Sequence, residues 1–217
     1  MPLLLAFLKP DAVLRKNVGA TIMKELTEND DVKILSFEER EVDEALSNEH
    51  YAHVADRPFY PWLERYVTIC PVWVMLIEVE DEDAVERLRG FLGKTISHEA
   101  EEETIRGRFG VYAGVNCVHL SDSLESGEIE TALWEERLGI EEGSFDMPIE
   151  EFVARFDETL PDHTKVLRGI CVQVAEDGSV SEEQKAKLRA LIEEECPDAE
   201  QEQLELLAQT IVGSSLN

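Results

Sequence analysis

A histidine stands at the point where an apolar run becomes polar. The stretch "VNCVHLSDS" covers residues 115–123, and His119 is followed within four residues by two serines and an aspartate. A nucleophilic imidazole needs one ring nitrogen free and the other held by a hydrogen-bond acceptor. Glu130, in the helix predicted to follow, could supply that acceptor, with Ser121 beside it. The alternative is a structural histidine at a strand end, bonded to a main-chain carbonyl.

Positive side chains lie at the ends of predicted elements and could form an anion site. Lys9 follows the first predicted strand, Arg89 lies near the end of a helix, and Arg106 lies in the loop sequence "TIRGRF". Salt screens charges beyond about 8 Å, whereas direct contacts near about 4 Å survive. Three such cations could therefore hold a polyphosphate, with the Thr95 hydroxyl as a further donor, although each one alone could be a solvated surface charge.

An aromatic residue precedes a predicted helix in "DRPFYPWLERYV". Phe59 follows Pro58, which stiffens the chain at that point. An exposed ring beside a helix start can stack on a flat base, because every base offers a π-face. The alternative, a ring buried in the core, is equally compatible with the sequence.

The composition restricts the classes of protein. The 217 residues include 48 acidic and 20 basic ones, a formal charge of −28, with 43% hydrophobic residues. This apolar content predicts a folded core, and the negative charge argues against binding nucleic acid or anionic membranes. No apolar run reaches the roughly 18 residues of a membrane span.

Four scattered cysteines without a CxxC pair predict neither a disulfide framework nor a metal cluster, and favour the cytoplasm. Adaptation to high salt is a narrower hypothesis for the charge.

Apolar runs that alternate with helical patterns predict an α+β fold. The predicted strands are "LLLAFL" (rather than a signal peptide), "VKILSFEER", "PVWVMLIEV" and "NCVHL". Asn17 is predicted to cap the first helix, Asp43 or Ser47 to begin a later one, and residues 94–114 to form a long loop. The order indicates a ferredoxin-like βαββαβ arrangement, an antiparallel or mixed sheet with helices on one face.

The C-terminal region is predicted to be a small, mostly helical appendage. A domain boundary is expected near residues 136–150, and the segment "VLRGICVQV" is predicted to form a strand. Ser181 and Gln184 form a capping-box pattern before one helix, and Pro197 is expected to start another. The predicted domains are therefore a catalytic region, residues 1–140, and an acidic extension of unknown function, residues 141–217.

Four segments together resemble the nucleoside diphosphate kinase family over about residues 3–135. They are "FLKPDAVLRKNVGATI" with its lysine-proline-aspartate signature, "EHYAHVADRPFYPWLERY" as a nucleotide-binding helical hairpin, "ETIRGRFG" as an arginine loop, and "NCVHLSDSLESGEIE" around a phosphorylated histidine. The resemblance implies the ferredoxin-like fold and ping-pong transfer of a γ-phosphoryl group between nucleotides.

The resemblance also implies a role for each matching residue. His119 would be the nucleophile, oriented by Glu130 and Ser121, with Tyr51 beside it. The nucleotide-binding residues would be Lys9 and Asn116 (phosphates and sugar 3′-hydroxyl), Phe59 (base), and Arg89, Thr95 and Arg106 (phosphates). Mg²⁺ would be bound through the nucleotide phosphates, with no direct protein ligand required. Family members form homo-oligomers built from dimers, commonly hexamers or tetramers.

The sequence departs from the family pattern at three places. Leu120 follows the histidine where the family has glycine, Val115 replaces an arginine, and the loop "ISHEAEEE" is unusually acidic. Leu120 could narrow the phosphate pocket. The alternative functions are therefore a nucleotide-binding protein of the same fold with weak or lost turnover, and a scaffold whose function lies in the extension.

Overall fold

A five-stranded sheet forms the centre of the computed structural model, which describes residues 1–216. Its strands are β1 (Leu3–Leu8), β2 (Lys33–Ile34), β3 (Glu38–Arg40), β4 (Val72–Glu78) and β5 (Val118–Leu120). β2 and β3 both pair with β4, β4 pairs with β1, and β1 pairs with β5, all antiparallel. The predicted antiparallel ferredoxin-like sheet is confirmed, but the segment predicted as one strand, "VKILSFEER", is interrupted between β2 and β3.

Helices precede, separate and follow these strands. They are α1 (Pro10–Leu14), α2 (Lys16–Thr27), α3 (Glu44–His50), α4 (Tyr60–Val67), α5 (Glu82–Leu92), α6 (Ile105–Phe109), α7 (Leu124–Leu138), α8 (Ile149–Val153), α9 (Thr164–Asp177), α10 (Glu182–Glu195) and α11 (Gln201–Ser214). None of them is long and apolar enough to cross a membrane, among the residues that the structure describes. The predicted loop at residues 94–114 contains α6 and a short 3-10 helix, Ser97–Glu99.

Both faces of the sheet are buried, which corrects the expectation of helices on one face. Along β1, Leu5 and Phe7 pack into one apolar cluster, with α3, α4, α7 and the C-terminal helices. Leu4 and Ala6 pack into the other, with α2 and α5. Strands that are apolar without alternation are typical of a sheet covered on both sides, and the sequences of β1 and β4 have this character.

The caps of two early helices differ in how well the sequence predicts them. Asp43 caps α3 as expected, since its Oδ1 accepts a hydrogen bond of 2.8 Å from the Leu46 amide. Asn17 is not a cap but lies inside α2, which begins at Lys16. Its side chain instead donates to the Asp157 carbonyl (2.8 Å) and accepts from the Asp157 amide (2.9 Å). Asn17 thus fastens α2 to the C-terminal region.

The C-terminal region is helical throughout its regular structure, so the predicted strand at residues 166–174 is wrong. These residues lie within α9 and bury Leu167, Ile170, Cys171 and Val174 along one face. The capping box of Ser181 and Gln184 is confirmed at the start of α10. The last helix, α11, begins at Gln201 rather than at Pro197.

Residues 143–146 cover the open edge of the sheet beside β2 and β3. The Gly143 amide donates to the Leu35 carbonyl (2.8 Å), and Phe37 exchanges main-chain hydrogen bonds of 3.0 Å with Ser144 and Asp146. An uncovered edge strand is a template for pairing with another chain. Residues 143–146 of the same chain thus occupy the hydrogen-bonding groups of this part of the edge.

Two further contacts tie the extension to the rest of the chain. On α8, the Phe152 ring packs 5.2 Å from the rings of both Phe37 and Trp73. Arg15, fully buried, forms an ion pair with Glu195 at the end of α10. The apolar cluster on the His119 side of the sheet runs without interruption from β1 to α11, so packing is continuous across residue 140.

Candidate active site

The His119 ring is fixed by a carboxylate on the next helix. His119 lies in the middle of β5, and its Nε2 is 2.8 Å from Glu130 Oε2 on α7. The Ser121 hydroxyl donates to the same carboxylate oxygen, also at 2.8 Å. An ionised carboxylate accepts hydrogen bonds only, so Nε2 carries the ring proton and Nδ1 keeps its lone pair. This is the arrangement that the sequence predicts for a nucleophilic imidazole.

Aromatic rings enclose the same imidazole on the side of the core. Phe7 of β1 stacks on His119, with ring centroids 4.7 Å apart. His50 meets it edge-on at 4.6 Å, and Tyr51 lies edge-on at 6.4 Å. The ring is thereby held by packing as well as by hydrogen bonding.

Burial and charge keep His119 in its neutral form. Burial lowers its pKa well below the ordinary value of 6.5, and the nearby positive charges of Lys9 and Arg106 lower it further. Burial has the opposite effect on the carboxyl group, raising the pKa of Glu130, while His50 and the Ser121 hydrogen bond counteract that rise. Only the neutral imidazole is a nucleophile, so this environment maintains the reactive form.

Lys9 is buried beside an asparagine. Its Nζ donates to Asn116 Oδ1 at 2.8 Å, and the amide of Asn116 donates to the Thr95 carbonyl at 2.7 Å. Burial, together with the charge of Arg106, lowers the pKa of Lys9 to about 8. The predicted residues Lys9, Asn116 and Thr95 thus form one hydrogen-bonded chain, although Thr95 enters it through its main chain.

Two arginines complete the positive group. Arg106 on α6 is buried and donates to the carbonyls of Gly93 (2.9 Å) and Val118 (2.8 Å), the residue before His119. Burial and the charge of Arg89 lower the pKa of Arg106. Arg89, more exposed at the end of α5, pairs with Asp122. Both guanidinium groups influence the His119 pKa and therefore share its surroundings.

The main chain is strained directly between Asn116 and the histidine strand. Cys117 has a φ angle of +70°, which residues other than glycine rarely adopt. Its carbonyl accepts a 2.8 Å hydrogen bond from the Lys9 amide, and its thiol donates to Asp11. Burial raises the pKa of that thiol well above its ordinary value, so it stays protonated. Strain of this kind persists where surrounding contacts enforce it, commonly at functional sites.

Two of the departures from the family pattern, Leu120 and Val115, do not obstruct the pocket. Adjacent residues on a strand point to opposite faces, and Leu120 packs into the apolar cluster with Leu4 and Ala6, away from His119. Val115 is fully buried in the other cluster. The concern that Leu120 narrows the phosphate site is therefore unfounded.

Phe59 occupies a separate place at the start of α4. Its ring is 38% exposed. This exposure agrees with the hypothesis that the ring stacks on a base and argues against a ring buried in the core. Among the described residues it makes no ring contact with the aromatic group around His119. Thr95 is also exposed, in the turn after α5. Thr95 is joined to the site through its main-chain carbonyl, which accepts from Asn116, while its hydroxyl and the Phe59 ring are available to a ligand.

Two imidazoles and a carboxylate come close enough to suggest a metal. One ligand atom each from His50, His119 and Glu130 lies within 4.8 Å of the others. The Nδ1 of His50, however, accepts a 3.2 Å hydrogen bond from Trp134 Nε1, so its proton must reside on Nε2. A protonated nitrogen cannot ligate a metal, and we interpret the three groups as a cluster in which His119 is hydrogen-bonded to Glu130 and His50 packs against the His119 ring.

Sequence reasoning gave no role to His50, Trp134 or Asp11, although Asp11 is the aspartate of the lysine-proline-aspartate signature. Burial lowers the pKa of His50 to about 3, and its Nε2 has no hydrogen-bond partner within the described residues. Asp11 is buried and accepts hydrogen bonds from Tyr66 and Cys117. In the sequence, His50 could have been found only through its position next to Tyr51. Nothing in the sequence pointed to Trp134.

The fold and the site together define a class. A neutral histidine with a free Nδ1, oriented by a carboxylate and surrounded by three cations, is suited to attack an anionic phosphoryl group. The antiparallel sheet that carries it has flanking helices and an added helical extension.

Comparison with known proteins gives the same class. The family model for nucleoside diphosphate kinase matches residues 4–138. The nucleoside diphosphate kinase of Staphylococcus saprophyticus is 42% identical over 127 residues, 58% of this chain and 83% of that protein. That of Chloroflexus aggregans is 42% identical over 130 residues, 60% and 84% of the two chains.

Solved structures agree. A nucleoside diphosphate kinase from Encephalitozoon cuniculi superposes with a TM-score of 0.57 at 28% identity, covering 62% of this chain and 88% of its own. A halophilic one from Halobacterium salinarum in complex with CDP gives 0.55 at 29% identity, covering 70% and 97%. The chain belongs to the nucleoside diphosphate kinase family and is an enzyme of the kinase class.

Proposed function

We propose that the protein transfers the γ-phosphoryl group of a nucleoside triphosphate to a nucleoside diphosphate, through a phosphohistidine on His119. The observation that carries this proposal is the 2.8 Å contact between His119 Nε2 and Glu130, which leaves the lone pair on Nδ1 of a ring that also feels the charges of Lys9 and Arg106. A covalent intermediate lets one site serve two nucleotides in turn and predicts ping-pong kinetics.

In the first half-reaction, Nδ1 attacks the γ-phosphorus. The nitrogen–phosphorus bond forms as the bond to the β–γ bridging oxygen breaks, and the diphosphate leaves with that electron pair. Glu130 stabilises the positive charge that develops on the ring, with Ser121 holding its carboxylate. A second diphosphate then attacks the phosphohistidine by the reverse steps. Phosphoryl transfer of this type depends mainly on positioning and charge neutralisation.

The remaining predicted residues would bind the nucleotide. Arg89, Arg106 and the Thr95 hydroxyl would hold the phosphates, and Lys9 with Asn116 would contact the phosphates and the sugar 3′-hydroxyl. Phe59 would stack on the base, and its exposure leaves the ring face available. Stacking without base-edge hydrogen bonds supports broad base specificity.

Mg²⁺ fits this site as a companion of the nucleotide. Magnesium prefers oxygen ligands and usually binds through substrate phosphates with few carboxylates. The Asp122 carboxylate, which pairs with Arg89, could reach such an ion through water. When bound, the ion would neutralise phosphate charge during transfer.

The cytoplasmic location and the homo-oligomer expected from the resemblance remain parts of this proposal. A dimer, and a tetramer or hexamer built from it, would need a surface other than the covered stretch beside β2 and β3, since residues 143–146 already use Leu35 and Phe37 there. The acidic surface supports the absence of nucleic acid among the partners, which are nucleoside tri- and diphosphates.

The test is to look for the covalent intermediate. The wild-type protein is incubated with γ-labelled ATP, and we expect label on the protein that is acid-labile and base-stable and that GDP removes. His119→Ala should abolish the label. His163→Ala is the matched control, because that histidine pairs with Glu194 in the extension, and it should label normally. Normal labelling of His119→Ala would disprove the proposal.

The same experiment addresses the alternative of a nucleotide-binding protein without turnover. That alternative would show ATP binding without label on the wild-type chain. The position of Leu120 on the opposite face removes the structural argument for it.

A further inference from the structure

We propose that Arg168, which lies in the extension outside the family match, is a positioning residue for the phosphate-binding Arg106. This inference rests on the proposed function. Arg168 projects from α9, half-buried, towards the end of α6, the short helix that carries Arg106.

Arg168 binds main-chain carbonyls of the arginine loop. Its Nη2 donates to the carbonyl oxygens of Gly107 (2.9 Å), Gly110 and, more distantly, Arg106 (3.4 Å). Its Nε donates to the Val111 carbonyl at 3.2 Å. In a chain with a charge of −28, all of its hydrogen bonds among the described residues go to these carbonyls.

Three of these four carbonyls have no other donor among the described residues, namely that of Gly107 in the last turn of α6 and those of Gly110 and Val111 just after it, whereas the Arg106 carbonyl also accepts from the Gly110 amide at 3.0 Å. The last carbonyls of a helix have no intrahelical donor and carry partial negative charge, which a cation at that end stabilises. The planar guanidinium can reach several of them at once because its donors are fixed in a fork. A second arginine assists, since Arg15 donates to the Phe109 carbonyl at 2.9 Å and is itself held by Glu195 of α10.

The position of α6 is transmitted directly to the histidine. The Arg106 guanidinium holds the carbonyls of Gly93 and Val118, so it joins the end of α5 to the residue before His119. A displaced α6 would move this guanidinium relative to the histidine. The extension therefore positions the phosphate-binding Arg106 through main-chain contacts to α6, without touching substrate.

The experiment measures the single-turnover rate of His119 phosphorylation against ATP concentration in the full chain. Arg168→Gln should lower the second-order rate constant about 10-fold, because small misplacements of a positioning group have effects of that size or more. Arg168→Lys, which keeps the charge and most of the stem but not the fork, should lose nearly as much if the fork geometry rather than the charge positions α6.

Arg189→Gln is the matched control. This arginine lies on α10, has Glu193, Gln201 and Glu205 as its side-chain partners among the residues that the structure describes, and carries the same charge. It should phosphorylate His119 within about twofold of wild type. The decisive comparison is the double variant with Arg106→Gln, in which Arg168→Gln should cause little further loss of either rate or ADP affinity, because residues acting as a unit are not additive.

The outcomes separate the two proposals. A wild-type protein that forms no phosphohistidine would refute the proposed function and this role together. An active wild type in which both Arg168 variants match Arg189→Gln would refute only the role of Arg168. An equal loss with and without Arg106 would also refute it, because it would show that Arg168 merely fastens the extension.

Discussion

Two buried cations near His119, Lys9 and Arg106, form no direct ion pair among the described residues, although the charges of Asp11 and Asp122 act on them from a distance. Burial lowers the pKa of both Lys9 and Arg106, the charge of Arg106 lowers that of Lys9 further, and their hydrogen bonds go to an amide oxygen and to carbonyls. Burying a charge without an ion partner is unfavourable. A polyphosphate supplies a direct partner of opposite charge, so this arrangement favours binding of the anionic substrate that the reaction needs.

This arrangement predicts an alkaline limit to activity. Lys9, with a pKa of about 8, loses its charge as the pH rises through that value. His119 has a pKa well below 6.5 and stays neutral across the neutral range. We therefore expect kcat/KM, which reports the free enzyme, to be level between about pH 6 and 7 and to fall above about pH 8. At saturating nucleotide the limit should move higher, because bound phosphate stabilises the charged lysine.

Steady-state rates between about pH 5.5 and 9.5 would check this prediction. Lys9→Arg is the control, since arginine keeps its charge over that range. Whatever its overall rate, its profile should lack the decline near pH 8. A decline of the wild-type kcat/KM on the acid side near pH 6.5 would instead show that His119 titrates as an ordinary histidine.

At the level of elements, the sequence predicts what local patterns encode. β1, β4 and β5 are apolar runs with clear limits, and the site residues lie in contiguous motifs, so both were predictable. The error at α9 has a physical cause. Its β-branched residues favour a strand, whereas Leu167, Ile170, Cys171 and Val174 have the helical spacing that packing selects.

Other contacts could not be read from the sequence at all. Arg168 binds main-chain carbonyls, which every residue possesses, so no residue type marks its partners. The pairing of Phe37 with residues 143–146 joins segments about a hundred residues apart through the main chain. The domain boundary also depends on such contacts and could not be read from the sequence. The division at residue 140 stays a prediction, and the continuous packing across that residue argues against it.

The packing of α8 gives a test of that division. Phe152→Ala should lower the free energy of unfolding of the full chain by about 3–5 kcal/mol, because it removes a buried ring between Phe37 and Trp73. Phe156→Ala removes a ring that is 49% exposed and should change it by less than about 1 kcal/mol. Urea denaturation followed by fluorescence and circular dichroism would measure both.

We expect the two signals to coincide in one transition, since the apolar cluster spans both regions. Two separate transitions, with the effect of Phe152→Ala confined to one, would support an independent domain after residue 140.

At the scale of the whole molecule, charge and edge protection both limit association. The chain covers its own sheet edge with residues 143–146, and its net charge of −28 adds long-range repulsion between copies. The positive group of Lys9, Arg89 and Arg106 is the local exception to this field. A nucleotide phosphate is therefore repelled at a distance and attracted at contact, which makes binding sensitive to ionic strength.

The charge also leads to a prediction about stability in salt. Like charges over a compact surface oppose folding, and the screening length shrinks from about 10 Å at 0.1 M to about 3 Å at 1 M salt. We expect Tm to rise by several degrees between 0.1 and 1 M NaCl. Glu99→Gln with Glu103→Gln, two exposed sites in the acidic loop, should raise Tm at low salt and reduce the increment. Calorimetry of both proteins in NaCl and in sucrose, which strengthens burial without screening charge, distinguishes the causes. A wild-type Tm that stays level in NaCl would contradict repulsion as the dominant effect of this surface and the high-salt hypothesis with it.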